Sequence, residues 1–228
     1  PDMEALMKQN GIQLFGLESR DSINTFDFVG FTLQYELSYT NVLHMLQLAG
    51  IPLYAAERDQ SHPLVIAGGP CACNPEPLAD FFDIVCLGEG EEVDLELMAL
   101  YRRHKFSQKG YHKQDFLVEA AQIPGVYVPA FYDVAYHDDG TVASITPQYG
   151  APATIQKRII EDMDNAYYPE QVVVPFIDIV HDRYMSELFR GCIRGCRFCQ
   201  AGFIYRPVRE KSPDTINRQS KVLCETTG

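Results

Sequence analysis

Three cysteines, Cys192, Cys196 and Cys199, fall in the run Arg190-Gly-Cys-Ile-Arg-Gly-Cys-Arg-Phe-Cys-Gln-Ala-Gly202, a C-x3-C-x2-C pattern. Thiolates this close can hold three irons of a cubane [4Fe–4S] cluster, whereas the usual protein cluster takes four cysteines. The fourth iron is then left without a protein ligand, and an open coordination position is where chemistry can occur. The spacing argues against other uses. A zinc ribbon needs a second cysteine pair, and none lies within reach. A ferredoxin needs a fourth cysteine, and Cys224 lies 25 residues past Cys199 in a helix-like stretch. Cys196 and Cys199 have thioredoxin spacing, but Cys192 and the lack of a thioredoxin-like βαβ context count against that chemistry. Arg194, Arg197 and the backbone amides near Gly191, Gly195 and Gly202 are placed to hydrogen-bond cluster sulfides and tune a potential.

The flanking sequence must hold this loop. Met185 to Phe189 predicts a short strand before it. After it, Ser212 as N-cap and Pro213 at the first helical position predict a helix through about Cys224. Strand, ligand loop and helix together read as the first β/α unit of a barrel, with the functional loop at the strand's C-terminal end.

The first 105 residues alternate strand and helix patterns, which predicts an α/β domain with a parallel sheet. Asp27–Leu33, Leu64–Ala67 and Phe82–Leu87 read as buried strands. A helix capped by Ser38 or Thr40 carries Val42, Leu43, Leu46 and Ala49 at helical spacing and ends at Gly50. Another follows the third strand, with Val93, Leu95, Leu97, Met98 and Leu100 on its apolar faces. The second and third strands run into Gly68-Gly69-Pro70 and Gly88-Glu89-Gly90. Two readings stay open for these loops. Glycine at the carboxyl edge of such a sheet lets backbone approach a ligand, or it merely makes tight turns, with Glu91 and Glu92 favouring the helix N-terminus. Neither run is a dinucleotide-binding fingerprint or a phosphate-binding P-loop.

Residues 106–182 read as a β-rich connector. Gln114–Gln122 predicts a short helix, and Asp138-Asp139-Gly140 between Val126–His137 and Thr141–Thr146 predicts a hairpin. His137 and His181, the latter beside Asp182, read as surface histidines. Residues 183–228 then carry the cysteine loop and the start of the barrel.

Composition narrows the class. The formal charge of −12 argues against broad affinity for nucleic acid or anionic membrane. Yet Arg183 to Lys221 holds nine Lys/Arg against three acids, leaving −18 for the remainder. The local bases either hold an anionic cofactor or substrate, or offset a thiolate-rich cluster. Seven cysteines without a secretory signal favour free or metal-bound thiols over disulfides. Cys71, Cys73, Cys86 and Cys224 read as packing or loop residues. The longest apolar stretch, Val172–Val180, is interrupted by Pro175 and Asp178 and is too short to span a bilayer, so the chain reads as cytoplasmic with no membrane partner. Its start at Pro1 and stop at Gly228 read as the ends of a fragment.

Cys192-x3-Cys196-x-Phe198-Cys199, after a first strand, resembles the radical S-adenosylmethionine (radical SAM) superfamily, whose pattern includes the aromatic before the third cysteine. The resemblance implies that the three cysteines bind a [4Fe–4S] cluster whose open iron takes the amino and carboxylate groups of S-adenosylmethionine (SAM), with Phe198 beside that cofactor. An electron, delivered by a donor such as flavodoxin or ferredoxin, then cleaves SAM to methionine and a 5′-deoxyadenosyl radical. Ile66-Ala-Gly-Gly-Pro70 and Leu87-Gly-Glu-Gly-Glu91 resemble the cobalamin-binding-type domain that precedes many radical SAM barrels. This implies that Gly68, Gly69, Pro70, Gly88, Glu89 and Gly90 face cobalamin's nucleotide tail, although no Asp-x-His-x-x-Gly motif for a cobalt-ligating histidine is present. Phe31–Leu37, Pro70–Pro77 and Gly202–Ser212 resemble a bacterial group of such B12-binding-domain proteins. The alternatives are a methylthiotransferase-like modifier of RNA or ribosomal protein and a non-catalytic iron–sulfur module.

Overall fold

The computed structural model describes residues 2–108, 110–169, 171–177, 180 and 183–227. The chain divides into two compact units, Pro1–Arg158 and Ile159–Gly228.

In the first unit a helix, α1 (Asp2–Gln9), precedes strand β1 (Phe28–Thr32). Helix α2 (Tyr39–Leu48), strand β2 (Leu64–Gly68), strand β3 (Ile84–Cys86) and helix α3 (Gly90–Lys105) follow. Next come α4 (Lys113–Ala120), β4 (Val126–Tyr127), β5 (Tyr132–Tyr136) and β6 (Val142–Pro147). The sheet order is β1-β2-β3-β4. β1, β2 and β3 are parallel, in a register that pairs Phe28 with Leu64 and Ile66 with Ile84. β4 departs from the expected all-parallel sheet by pairing antiparallel with β3, Cys86 opposite Val126.

Alternation along the strands explains why both faces are covered. Leu64, Ile84, Cys86 and Val126 join one core with Val93, Leu97, Leu100 and Tyr101 of α3 and Phe116, Leu117 and Ala120 of α4. Val65, Ala67, Val85 and Tyr127 point the other way, into a core with Val42 and Leu46 of α2. Leu95 is the exception on α3, exposed rather than buried. At the amino end of β3, Asp83 sits in a buried ionic knot. It receives Arg58 Nε at 3.1 Å, Lys113 Nζ at 2.7 Å and the Val65 amide at 2.8 Å.

The boundary expected at residue 105 therefore falls inside a compact unit. α4 and β4 bury Phe116, Ala120 and Val126 in the core that α3 builds on the sheet, so they are part of this domain. The run Val126–His137 likewise splits, because Pro129–Phe131 makes a 3-10 turn between β4 and β5. The hairpin stands: β5 pairs with β6 and Gly140 takes φ +82° in its turn. His137 is exposed there, whereas His181 and Asp182 lie outside the described residues.

In the second unit, β7 (Phe189–Arg190) pairs antiparallel with β8 (Arg209–Glu210), with α5 (Ala201–Ile204) between them and α6 (Pro213–Thr227) after. The strand expected at Met185–Phe189 is thus shorter and later. Its described partner is the chain returning from its own loop, not a parallel barrel strand. The helix start is as expected, and the Thr215 amide donates to Ser212 Oγ at 3.2 Å.

Candidate cluster-binding loop

The cysteine loop is a closed excursion between β7 and β8. Its neck is made by the Phe189–Glu210 and Arg190–Arg209 pairs, by the Lys211 amide donating to Leu188 O at 3.0 Å, and by the Cys192 amide donating to Tyr205 O at 3.2 Å. Gly191 makes the sharp exit from β7 at φ +110°. A Cβ there would lie 2.5 Å from the carbonyl oxygens of both Tyr205 and Pro207. Inside the loop, Cys199 N–H donates to Cys196 O at 3.1 Å, so the C-x2-C half is one tight turn. Gly202, on α5, is buried against the backbone of Arg194, whose carbonyl oxygen would stand 2.1 Å from an added Cβ. The loop is thereby folded back on its own helix.

With the backbone turned inward on itself, the side chains that carry chemistry remain accessible. Cys196 is exposed, and Cys192 and Cys199 are half-buried. Arg194 and Arg197 are exposed beside them, and the Phe198 ring is 93% exposed. The donor set fits a cluster: three thiols on one loop, with no carboxylate or imidazole among residues 192–199 to compete. Among the described residues, no group of three His, Cys, Asp or Glu side chains is drawn together closely enough to hold a metal ion.

Sequence reasoning missed the charged residues at the neck. Glu187 accepts from Arg190 Nε at 2.8 Å on Oε1 and from Nη2 at 3.0 Å on Oε2, and Lys211 Nζ lies 3.6 Å from that same Oε2. Arg190 holds the Glu187 carboxyl below the usual carboxylate range. The spacing of Glu187 and Arg190 is ordinary, and nothing in the sequence announces that Lys211 comes back to meet them.

The glycine loops of the first unit are arranged differently. Gly68 ends β2, Gly69 has φ +94°, and Pro70 opens a 3-10 turn that buries Cys71. A Cβ on Gly69 would stand 3.0 Å from both the nitrogen and the oxygen of Leu33. Gly88 pairs in a parallel bridge with Arg158, and its added Cβ would lie 2.0 Å from Arg158 O. The Glu89 amide donates to that same oxygen at 3.1 Å. Gly90 begins α3. The closest approaches at Gly69 and Gly88 are thus to the protein's own backbone. Arg158 is held in turn by Glu92 and Glu96, at 2.6 and 2.7 Å.

The chain is 29% identical over 206 residues to an uncharacterized protein of Methanocaldococcus jannaschii, an overlap of 90% of this chain but 37% of that protein. The chain therefore spans little more than a third of that relative's length. Residues 1–129 match the family described as "Radical SAM proteins, N-terminal". More than half of the sequence lies in that match, and the chain belongs to the radical SAM proteins.

Proposed function

We propose that this chain carries the cluster-binding loop of a radical SAM enzyme, in which Cys192, Cys196 and Cys199 hold a [4Fe–4S] cluster with one iron open to SAM. The observation that carries the reading is the accessible C-x3-C-x2-C loop, tied at its neck, in a member of this family. When bound, the cluster would supply the electron for reductive cleavage of SAM, itself replenished by a donor of the flavodoxin or ferredoxin kind.

The chain's own residues have distinct tasks in this reading. The thiols, as thiolates, ligate iron and leave no fourth ligand on the loop. Arg194 and Arg197 place positive charge beside an anionic cluster and the SAM carboxylate. Phe198 offers an apolar surface that a bound cofactor would cover, excluding water there. β7, the loop and α6 are read as the first β/α unit of the catalytic domain. The N-terminal sheet is read as the accessory domain. Cobalamin in that domain rests on the resemblance of its glycine loops alone.

The test is anaerobic reconstitution of the full-length protein. A four-iron cluster whose reduced EPR signal changes on adding SAM is expected, and a signal indifferent to SAM would sink the reading. Visible absorption of the same preparation reports cobalamin separately.

A further inference from the structure

Glu187 sits where both ends of the cysteine loop meet. On the incoming side it takes the two-pronged hydrogen bond of Arg190, two residues before Cys192. On the outgoing side it faces Lys211, just past β8. The Lys211 side chain is fully buried. Its ammonium has Gln219 Oε1 at 3.2 Å and the Tyr168 ring centroid at 4.3 Å, and Glu187 is the carboxylate beside it. Asp164, which accepts the Ser212 amide at 2.7 Å, and Arg209 Nη1, which donates to Ile160 O at 2.6 Å, hold the outgoing side alone, while Tyr168 supports both sides, donating its hydroxyl to Met185 O at 2.6 Å and laying its ring against Lys211.

A neutral amide and a ring face do not replace a carboxylate beside a buried ammonium, because an unpaired buried charge is costly. Without Glu187, Lys211 would swing toward water and pull β8 from β7, while Arg190 would lose its fork next to Gly191. We propose that Glu187 is a positioning residue that ties both ends of the cysteine loop through Arg190 and Lys211 and so sets the place of Cys192. This rests on the cluster reading for its purpose, but the tie itself is a property of the chain without iron.

The experiment is hydrogen exchange of the iron-free full-length protein, followed by timed loss of iron to a chelator after reconstitution. In Glu187→Ala the Cys192 and Lys211 amides should exchange at least about tenfold faster than in the parent, and iron should leave faster by a similar factor. Adding Lys211→Met, which removes the buried charge but keeps a similar apolar stem, should restore much of the protection. If Glu187→Ala also loosens α6, Glu187→Gln decides, since it keeps the side chain's size. Neck exchange equal to the parent in that variant overturns the proposal, as does a double variant no better protected than Glu187→Ala. A parent that takes up no four-iron cluster instead overturns the cluster reading and leaves the exchange result to stand.

Discussion

The molecule has two loop regions rich in glycine, and they use glycine in opposite ways. At the carboxyl edge of the N-terminal sheet, Gly69 and Gly88 admit the protein's own chain, Leu33 in one case and Arg158 in the other. In the cysteine loop, Gly191 and Gly202 also press backbone on backbone, but the result is to leave Cys196 and Phe198 at the surface. A glycine reports that something comes close without saying what. A cysteine triplet states its chemistry in its own side-chain atoms. The first region thus closes on itself, and the second is folded to present reactive groups.

The largest expected effect lies in the second region. Cys196→Ala in the reconstituted full-length protein should lose the four-iron cluster entirely, whereas Cys73→Ala, at an exposed cysteine of the first region, should keep it. Iron and sulfide analysis checks both. Full iron content in Cys196→Ala would remove the contrast between the two regions.

Next in size is the buried charge of the first region. Asp83 and Arg58 have side chains 2% and 0% exposed, and Asp83 also receives Lys113. Asp83→Ala leaves the buried guanidinium of Arg58 without its carboxylate, held only by the carbonyls of Pro52, Leu53 and Phe81, and should cost about 3–5 kcal/mol in urea unfolding of the N-terminal unit. A loss near zero would mean that the knot is not what joins β3 to α4.

The glycine contrast can be tested directly. Gly88→Ala forces a left-handed conformation at φ +109° on a residue whose Cβ would collide with Arg158 O. It should destabilise by about 1–3 kcal/mol or more. Gly90→Ala meets only the flexible carboxylate of Asp94, at 3.0 Å, and should be nearly silent. If Gly88→Ala is as stable as the parent, the space opposite it is not filled by the chain, and a ligand becomes its better explanation.

These contrasts also show what the sequence could and could not convey. The three parallel strands, α2, α3, the hairpin turn and the Ser212 cap were legible because local pattern and local chemistry determine them. The antiparallel β4 was not, since its apolar residues suit a strand of either direction and only the turn at Pro129–Phe131 separates it from β5. The cysteine loop was legible as chemistry. Its closure was not, because the Glu187–Lys211 contact joins residues far apart in sequence. The glycine loops were legible as close approaches, but the occupant at Gly88, Arg158, lies 70 residues further on.

The last contrast is an alkaline pH dependence that the buried thiol of the first region introduces. Burial, with some help from Asp94, pushes the Cys86 thiol up to about 12. An unfolded cysteine ionises near 8.5, so the folded state holds a proton that the unfolded state gives up above that value. The raised folded value therefore contributes stability that is complete below about pH 8.5. It should fade by up to about 1.4 kcal/mol per unit as pH climbs toward 12. Cys86→Ala should remove that part of the slope, which paired urea titrations at pH 8 and pH 10 would reveal. Alkylation sharpens the same point, because iodoacetamide should reach exposed Cys196 well before buried Cys86 in the iron-free protein. Equal labelling of the two would mean that the sheet opens as readily as the loop, and the difference between a closed region and a presenting one would vanish.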